Sequence, residues 1–142
     1  MKNNVFAVRF WVVVYFFVNL CWLSCFATCS YDVVDLGKCF PRGMNNKGQI
    51  VGDYKDSYGK SQAFLWEAGS MQSLGALSSK PQSTAFAIND SGQIVGHSWN
   101  GGDNTDQLAT LFDKSGGGDN INLGTLGGIK STALAINNAG QV

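Results

Sequence analysis

The chain has 142 residues, of which 44% are hydrophobic and 14% charged, and its formal net charge is zero. This length suits a single domain, and so few charges argue against a self-repelling disordered segment. No basic stretch is present, so we expect no nucleic-acid partner.

The first thirty residues differ in composition from the rest. Lys2 and Arg9 flank the start, the apolar run 10–18 follows, and small residues surround Ala27. A positive start, an apolar centre and a small-residue end are typical of a secretory signal peptide. We therefore predict a hydrophobic signal helix over residues 1–27, cleaved after Ala27, and a secreted or cell-envelope protein. A retained membrane anchor is the alternative, because the uncharged stretch is nearly long enough to cross a bilayer.

All four cysteines of the chain follow the apolar run. Cys25 has a small residue before it, as lipid attachment sites do, but Trp22 stands where such sites normally carry leucine. We expect membrane contact only through an uncleaved or lipidated N-terminus. Cleavage after Ala27 would leave Cys29 and Cys39, which can form a disulfide in an oxidising compartment. No Cys-x-x-Cys pair accompanies the single histidine, so no metal site is predicted.

Residues 28–142 are built from a repeated set of phrases. An Asn-x-x-Gly-Gln phrase occurs three times, a Leu-Gly phrase precedes each copy, and an apolar phrase resembling Gln-Ala-Phe-Leu-Trp follows the first two. A spacing of roughly 40–50 residues points to propeller blades or solenoid turns. We place the units at about 33–72, 73–121 and 122–142, the last incomplete. The signature residues are Asn45, Gly48, Gln49, Asn89, Gly92, Gln93, Asn137, Gly140 and Gln141.

Each unit predicts a four-stranded meander. The runs Ser-Thr-Ala-Phe-Ala-Ile and Ser-Thr-Ala-Leu-Ala-Ile alternate as strands do, and the Asn-x-x-Gly phrase that follows predicts a turn with glycine at positive φ. Ile-Val-Gly begins the return strand, Gln-Ala-Phe-Leu-Trp the third strand and Met71–Leu77 the fourth. Gly52 and Gly96 lie within return strands, where glycine often marks close backbone approach.

The strand 63–66 is apolar on both faces, which favours sheets stacked on both sides over a sheet with one wet face. We therefore predict an all-β fold of antiparallel four-stranded meander repeats that resembles an incomplete β-propeller. A single β-sandwich with accidental self-similarity is the alternative.

These phrases resemble the HAF repeat of bacterial extracellular proteins, named for a His-Ala-Phe phrase that usually continues into Leu-Trp. The resemblance covers about residues 33–142. Gln62 stands where the family has histidine, and the second copy, 108–112, is degraded. The resemblance implies an exported, β-rich and often surface-associated protein, and it implies no biochemical activity.

Other candidate sites are weak, and no enzyme or cofactor is predicted. His97 stands alone beside a strand glycine and is expected to be a strand-end side chain. Asp103, Asn104 and Asp106 offer oxygen ligands for calcium but lack a full loop signature. Trp66 is expected in the core, and a glycan site would need Trp66, Trp99, Tyr54 and Tyr58 exposed at one end of the sheets.

We therefore expect an exported, non-enzymatic β-repeat module that contacts another protein or a surface glycan. Exposed sheet faces would also permit self-association. A glycan-binding propeller fragment is one alternative. A truncated product of a longer HAF-repeat gene, without independent function, is the other.

Overall fold

A computed structural model of the chain describes residues 33–102 and 106–142. The predicted signal helix over 1–27 and Cys29 lie outside the described residues. Sheet 1 contains β1 (Cys39–Met44), β2 (Ile50–Lys55), β3 (Ser61–Glu67) and β4 (Ser70–Gly75). Sheet 2 contains β5 (Gln82–Ile88), β6 (Ile94–Trp99), β7 (Leu108–Phe112) and β8 (Ile121–Asn122).

Both sheets are antiparallel meanders in which each strand pairs with the next along the chain. The prediction of an all-β fold with antiparallel four-stranded sheets is confirmed, and the described residues form no helix. Among them there is accordingly no helical segment with the length and hydropathy to span a membrane.

The sheets are offset from the sequence units. The unit boundary predicted at residue 73 falls inside β4, the last strand of sheet 1, which lies within the predicted fourth strand Met71–Leu77 apart from its first residue. The boundary at 121 likewise falls inside β8. In sheet 1 the Leu-Gly phrase at Leu74 therefore lies at the end of the strand that completes the meander.

Each sheet carries the same β-bulge in its first hairpin. The register shifts between Pro41 and Gly43 in sheet 1 and between Ala85 and Ala87 in sheet 2. Gly52 lies opposite Pro41, and Gly96 lies opposite Ala85. A Cβ atom on either glycine would overlap the backbone of the facing strand. The close backbone approach expected from the strand glycines is thus observed.

A continuous apolar core joins the two sheets. Sheet 1 contributes Val51, Ala63, Leu65 and Leu74, and sheet 2 contributes Ala85, Ile88, Ile94 and Phe112. The opposite face of sheet 2 is covered too, because Val95 and Ala109 pack with Ala133, and Ile136 packs at the edge of this group. Sheet 2 is therefore buried on both faces.

The cover on the second face of sheet 2 is the segment 131–136, which the sequence predicts to be a strand. Ser131 N donates to Gln107 O at 2.9 Å, and Ala133 N donates to Gly96 O at 3.2 Å. The segment forms no β-ladder with a strand of the described chain, so it is not a β-strand of either sheet. It lies against sheet 2 much as β5 lies against sheet 1.

A serine at the start of each of these segments joins it to the preceding sheet. Ser83 Oγ accepts from Ala63 N at 2.8 Å and donates to Gly75 O at 2.5 Å. Ser131 Oγ makes the same pair of bonds with Ala109 N (2.9 Å) and Gly124 O (2.6 Å). Each serine therefore joins the third-strand phrase and the Leu-Gly phrase of one repeat to the strand run that leads into the next turn.

We expect Ser83→Ala to lower the free energy of unfolding by about 2–3 kcal/mol. The change leaves a backbone N–H and a backbone C=O without their hydrogen-bond partner at a fully buried position. Urea unfolding of the full chain measures the loss. Ser131→Ala is the matched control, since its site is partly exposed and should cost about 1 kcal/mol or less. Equal losses in the two variants would contradict the role of Ser83 as a buried junction.

Candidate functional site

The three Asn-x-x-Gly-Gln phrases form three turns of one geometry. In the first, Asn45 N donates to Gln49 O at 3.1 Å, and Gly48 N donates to Asn45 O at 3.1 Å. The Asn45 side-chain oxygen accepts from Gln49 N at 3.0 Å. Gly48, Gly92 and Gly140 have φ of 74°, 83° and 80°, a conformation that favours glycine.

The asparagines of the first two turns also bind the next turn. Asn45 Nδ2 donates to Asn89 O at 2.9 Å, and Asn89 Nδ2 donates to Asn137 O at 3.0 Å. The same nitrogen donates to the glutamine of its own turn, at 2.6 Å to Gln49 and 2.7 Å to Gln93. This series, the asparagine ladder, connects all three repeats along one edge of the stack.

A second row of polar contacts runs beside the ladder. Asn46 donates to Asp90 from both its backbone and its side chain, at 3.0 and 2.9 Å. Asn138 Nδ2 donates to the same carboxylate at 3.0 Å. The hydrogen bonds from Asn46, followed by that from Asn138, lower the pKa of the Asp90 carboxyl. The carboxylate thus bridges the turns on either side of it.

A groove of about 340 Å³ is formed by corresponding positions of the two repeats. We call it the aromatic groove. Its lining pairs a residue of sheet 1 with its counterpart from the second repeat: Phe40 with Thr84, Arg42 with Phe86, Asp53 with His97, Lys55 with Trp99, and Ser61 with Gln107. Arg42 and Phe86 are the two bulge residues, so the bulge aims one side chain per repeat into this region.

Three aromatic rings are packed edge to face in this groove. His97 lies 5.2 Å from Phe86 and 4.9 Å from Trp99, centroid to centroid. The Arg42 guanidinium lies 5.2 Å from the centre of the Phe86 ring, and its Nε donates to Asp53 at 2.8 Å. Ring, cation and carboxylate therefore form one continuous row.

The expectation that His97 is a strand-end side chain is wrong. It lies within β6 and is only 8% exposed, because the bulge places Phe86 over one side of its ring. Burial, followed by the charge of Arg42, lowers the pKa of His97, and Asp53 acts in the opposite direction. The buried His97 Nδ1 has no hydrogen-bond partner among the described residues.

Stability should therefore fall as the pH drops from 7 to 5. The unfolded chain binds a proton near the ordinary histidine pKa of about 6.5, whereas folded His97 does so only at lower pH. The slope should approach about 1.4 kcal/mol per pH unit at most. Urea unfolding at several pH values measures it. His97→Gln should flatten the profile in this range, since the chain has no other histidine; an unchanged slope would contradict the assignment.

The candidate calcium and disulfide sites each include residues outside the described ones. Asp106 is bound to Lys80 at 2.6 Å, and its suggested calcium partners Asp103 and Asn104 lie outside the described residues. The partner proposed for Cys39, Cys29, also lies outside them; the Cys39 thiol contacts Leu36 O at 3.7 Å.

Of the four aromatic residues that a glycan site was expected to need, only Trp99 lines the aromatic groove. Tyr58 is 86% exposed in the β2–β3 connection, and Tyr54 is half-buried. Trp66 is half-buried too, so its expected place in the core is wrong. It lies opposite Ile50 and Met71, whereas its neighbour Leu65 enters the core.

Apolar side chains are exposed on the residues that precede and follow the third turn. Leu126, Ile129, Leu134 and Val142 are exposed, and Leu134 corresponds to the bulge residues of the first two repeats. A cavity of about 540 Å³ is lined by Leu123, Leu126, Ala133, Leu134 and Val142 among others. We call residues 123–142 the third segment.

Comparison of this chain with protein-family models, curated proteins and solved structures finds no match. The asparagine ladder, the aromatic groove and the third segment therefore carry the functional argument. Sequence analysis found the turn residues but missed the groove. Alignment of Asp53 with His97 and of Arg42 with Phe86 at the ladder spacing is the signal that could have found it.

Proposed function

We propose that this chain is an exported, non-enzymatic β-repeat protein of the HAF type that binds another protein by extending its own stack. The observation that carries this proposal is the third segment. It presents the first strand of a hairpin whose complete form is seen in β1–β2 and β5–β6.

Two sets of contacts support this reading of the third segment. Ser131 repeats the junction made by Ser83, so the segment is held in the position of a first strand. Asn137 makes the same bonds within its turn as the asparagines of the first two turns make within theirs. Its Nδ2 donates to Gln141 Oε1 at 2.6 Å, and its Oδ1 accepts from Gln141 N at 2.9 Å. A first strand held in this way is a template for an antiparallel partner.

The partner's chemistry follows from the two completed hairpins. Their return strands carry glycine opposite Pro41 and Ala85, where a Cβ atom would overlap the facing backbone. Ala133 occupies the corresponding position in the third segment. The partner strand we propose is of the Ile-Val-Gly type, with glycine facing Ala133 and apolar side chains that cover Leu134 and Val142.

A synthetic peptide with the sequence of residues 93–99, Gln-Ile-Val-Gly-His-Ser-Trp, tests this proposal. Fluorescence anisotropy should detect binding to the full chain, and the same peptide with Gly96→Val should bind at least about tenfold more weakly. Leu134→Asp in the chain should also weaken binding, whereas Tyr58→Asp, a change at an exposed side chain outside the third segment, should not. Equal binding of the two peptides would contradict the proposal.

Export is supported by the N-terminal sequence pattern alone. The intact mass of the protein recovered from the cell envelope or medium should correspond to a chain that begins at Thr28. A full-length chain in the membrane fraction would instead favour the retained anchor.

A propeller-like arrangement of successive sheets is part of the same proposal. The burial of sheet 2 on both faces supports it, because blades of a propeller pack against neighbours on either side. A crystal structure of the chain with a bound partner would test it. Sheets stacked without rotation about a shared axis would contradict a propeller.

A further inference from the structure

The aromatic groove is independent of the surface proposed to extend the stack. It is built mainly from β1, β2, β5 and β6, and no residue of the third segment lines it. Its volume of about 340 Å³ lies at the small end of the range for ligand sites, which is about 300–1,000 Å³. The groove therefore needs an explanation other than stacking.

The walls of the groove combine fixed aromatic surface with an open rim. His97 packs edge to face against both Phe86 and Trp99, and these contacts restrain the three rings. Phe40 at the rim is 56% exposed and offers an apolar face to solvent. Such a surface suits a flat ligand with an apolar side and polar edges.

The polar groups of the groove suit hydroxyl groups. The Arg42–Asp53 bond uses one of the five N–H donors of the guanidinium, and Asp53 supplies carboxylate oxygens as acceptors. Donors and acceptors thus lie beside the aromatic surface, as recognition of a sugar ring requires.

The charge of the groove favours a ligand with an anionic group. Asp53 neutralises Arg42, whereas Lys55 forms no ion pair within the described part of the chain and donates to Ser61 Oγ at 2.9 Å. We propose that the aromatic groove binds a small saccharide whose pyranose ring carries a carboxylate, with the ring against Phe40 and the carboxylate near Lys55.

Saturation-transfer NMR with glucuronic acid and glucose as probes, at millimolar concentrations, tests this assignment on the full chain. We expect ring-proton signals from the acid and weaker binding of the neutral sugar. Phe40→Ser should weaken binding of the acid by about tenfold, and Lys55→Gln should remove the preference for the acid over glucose. Both side chains are exposed, so neither change should disturb the fold.

Tyr58→Ser is the matched control, because Tyr58 is an exposed aromatic residue that does not line the groove. Three results would overturn the proposal: no transfer from the acid, equal binding of acid and glucose to the unaltered chain, or equal effects of Phe40→Ser and Tyr58→Ser. Peptide binding by the third segment would be unaffected by any of these results.

Discussion

Gly96→Ala is expected to destabilise the fold by about 3–5 kcal/mol or to abolish its cooperative unfolding. The new Cβ atom would overlap the carbonyl oxygen of Thr84 and would lie 2.9 Å from Ala85 Cα. Both obstacles are backbone atoms of the paired strand, so relief requires β5 and β6 to separate. Because Ala85 and Ile94 belong to the core between the sheets, that separation would also open the core.

Urea unfolding of the full chain, followed by far-UV circular dichroism, measures this loss. Gly128→Ala is the matched control, since a Cβ atom there would lie 3.4 Å from Thr125 O, an ordinary contact, at an exposed position. The control should change the free energy of unfolding by less than about 0.5 kcal/mol. A Gly96→Ala variant as stable as this control would refute the close strand approach.

Asn89→Asp is expected to lower the free energy of unfolding by about 3 kcal/mol. The carboxylate keeps the acceptor that binds Gln93 N but loses the donor to Gln93 Oε1 and to Asn137 O. An oxygen would then face two other oxygens at hydrogen-bonding distance. The site is only 3% exposed, so water cannot readily compensate.

Asn137→Asp is the control for the asparagine ladder. It makes the same change in an exposed turn, where one donated bond, to Gln141, is lost. We expect it to cost about 1 kcal/mol or less. Comparable losses for the two variants in urea unfolding would mean that the turn alone, and not the link between repeats, determines the cost.

The local structure of each repeat could be predicted because its chemistry is local. Asparagine and glycine at fixed spacing specify a turn, and alternating apolar residues specify the strands that flank it. Ser83 was less predictable, because its partners Ala63 and Gly75 are separated from it along the chain and meet it only after the sheets stack. The repeated phrases are visible in the sequence, but they do not predict the hydrogen bonds made at this junction.

The errors have a common physical origin. In a strand that is apolar on both sides, composition does not say which face enters the core, and the core position expected for Trp66 is occupied by Leu65. The sequence shows His97 as an isolated residue, whereas in the fold it packs against Phe86, which lies at the bulge in β5. Local sequence patterns encode neither the buried face of such a strand nor the register shift in β5.

The asparagine ladder also makes the pitch of the stack independent of loop length. Its donor and acceptor atoms belong to the turns themselves, although 44 residues separate the first pair of asparagines and 48 the second. The bonds are 2.9 and 3.0 Å long all the same. Insertions in the solvent-facing connections can therefore accumulate during evolution without disturbing the spacing of the sheets, which leaves those connections open to diversification.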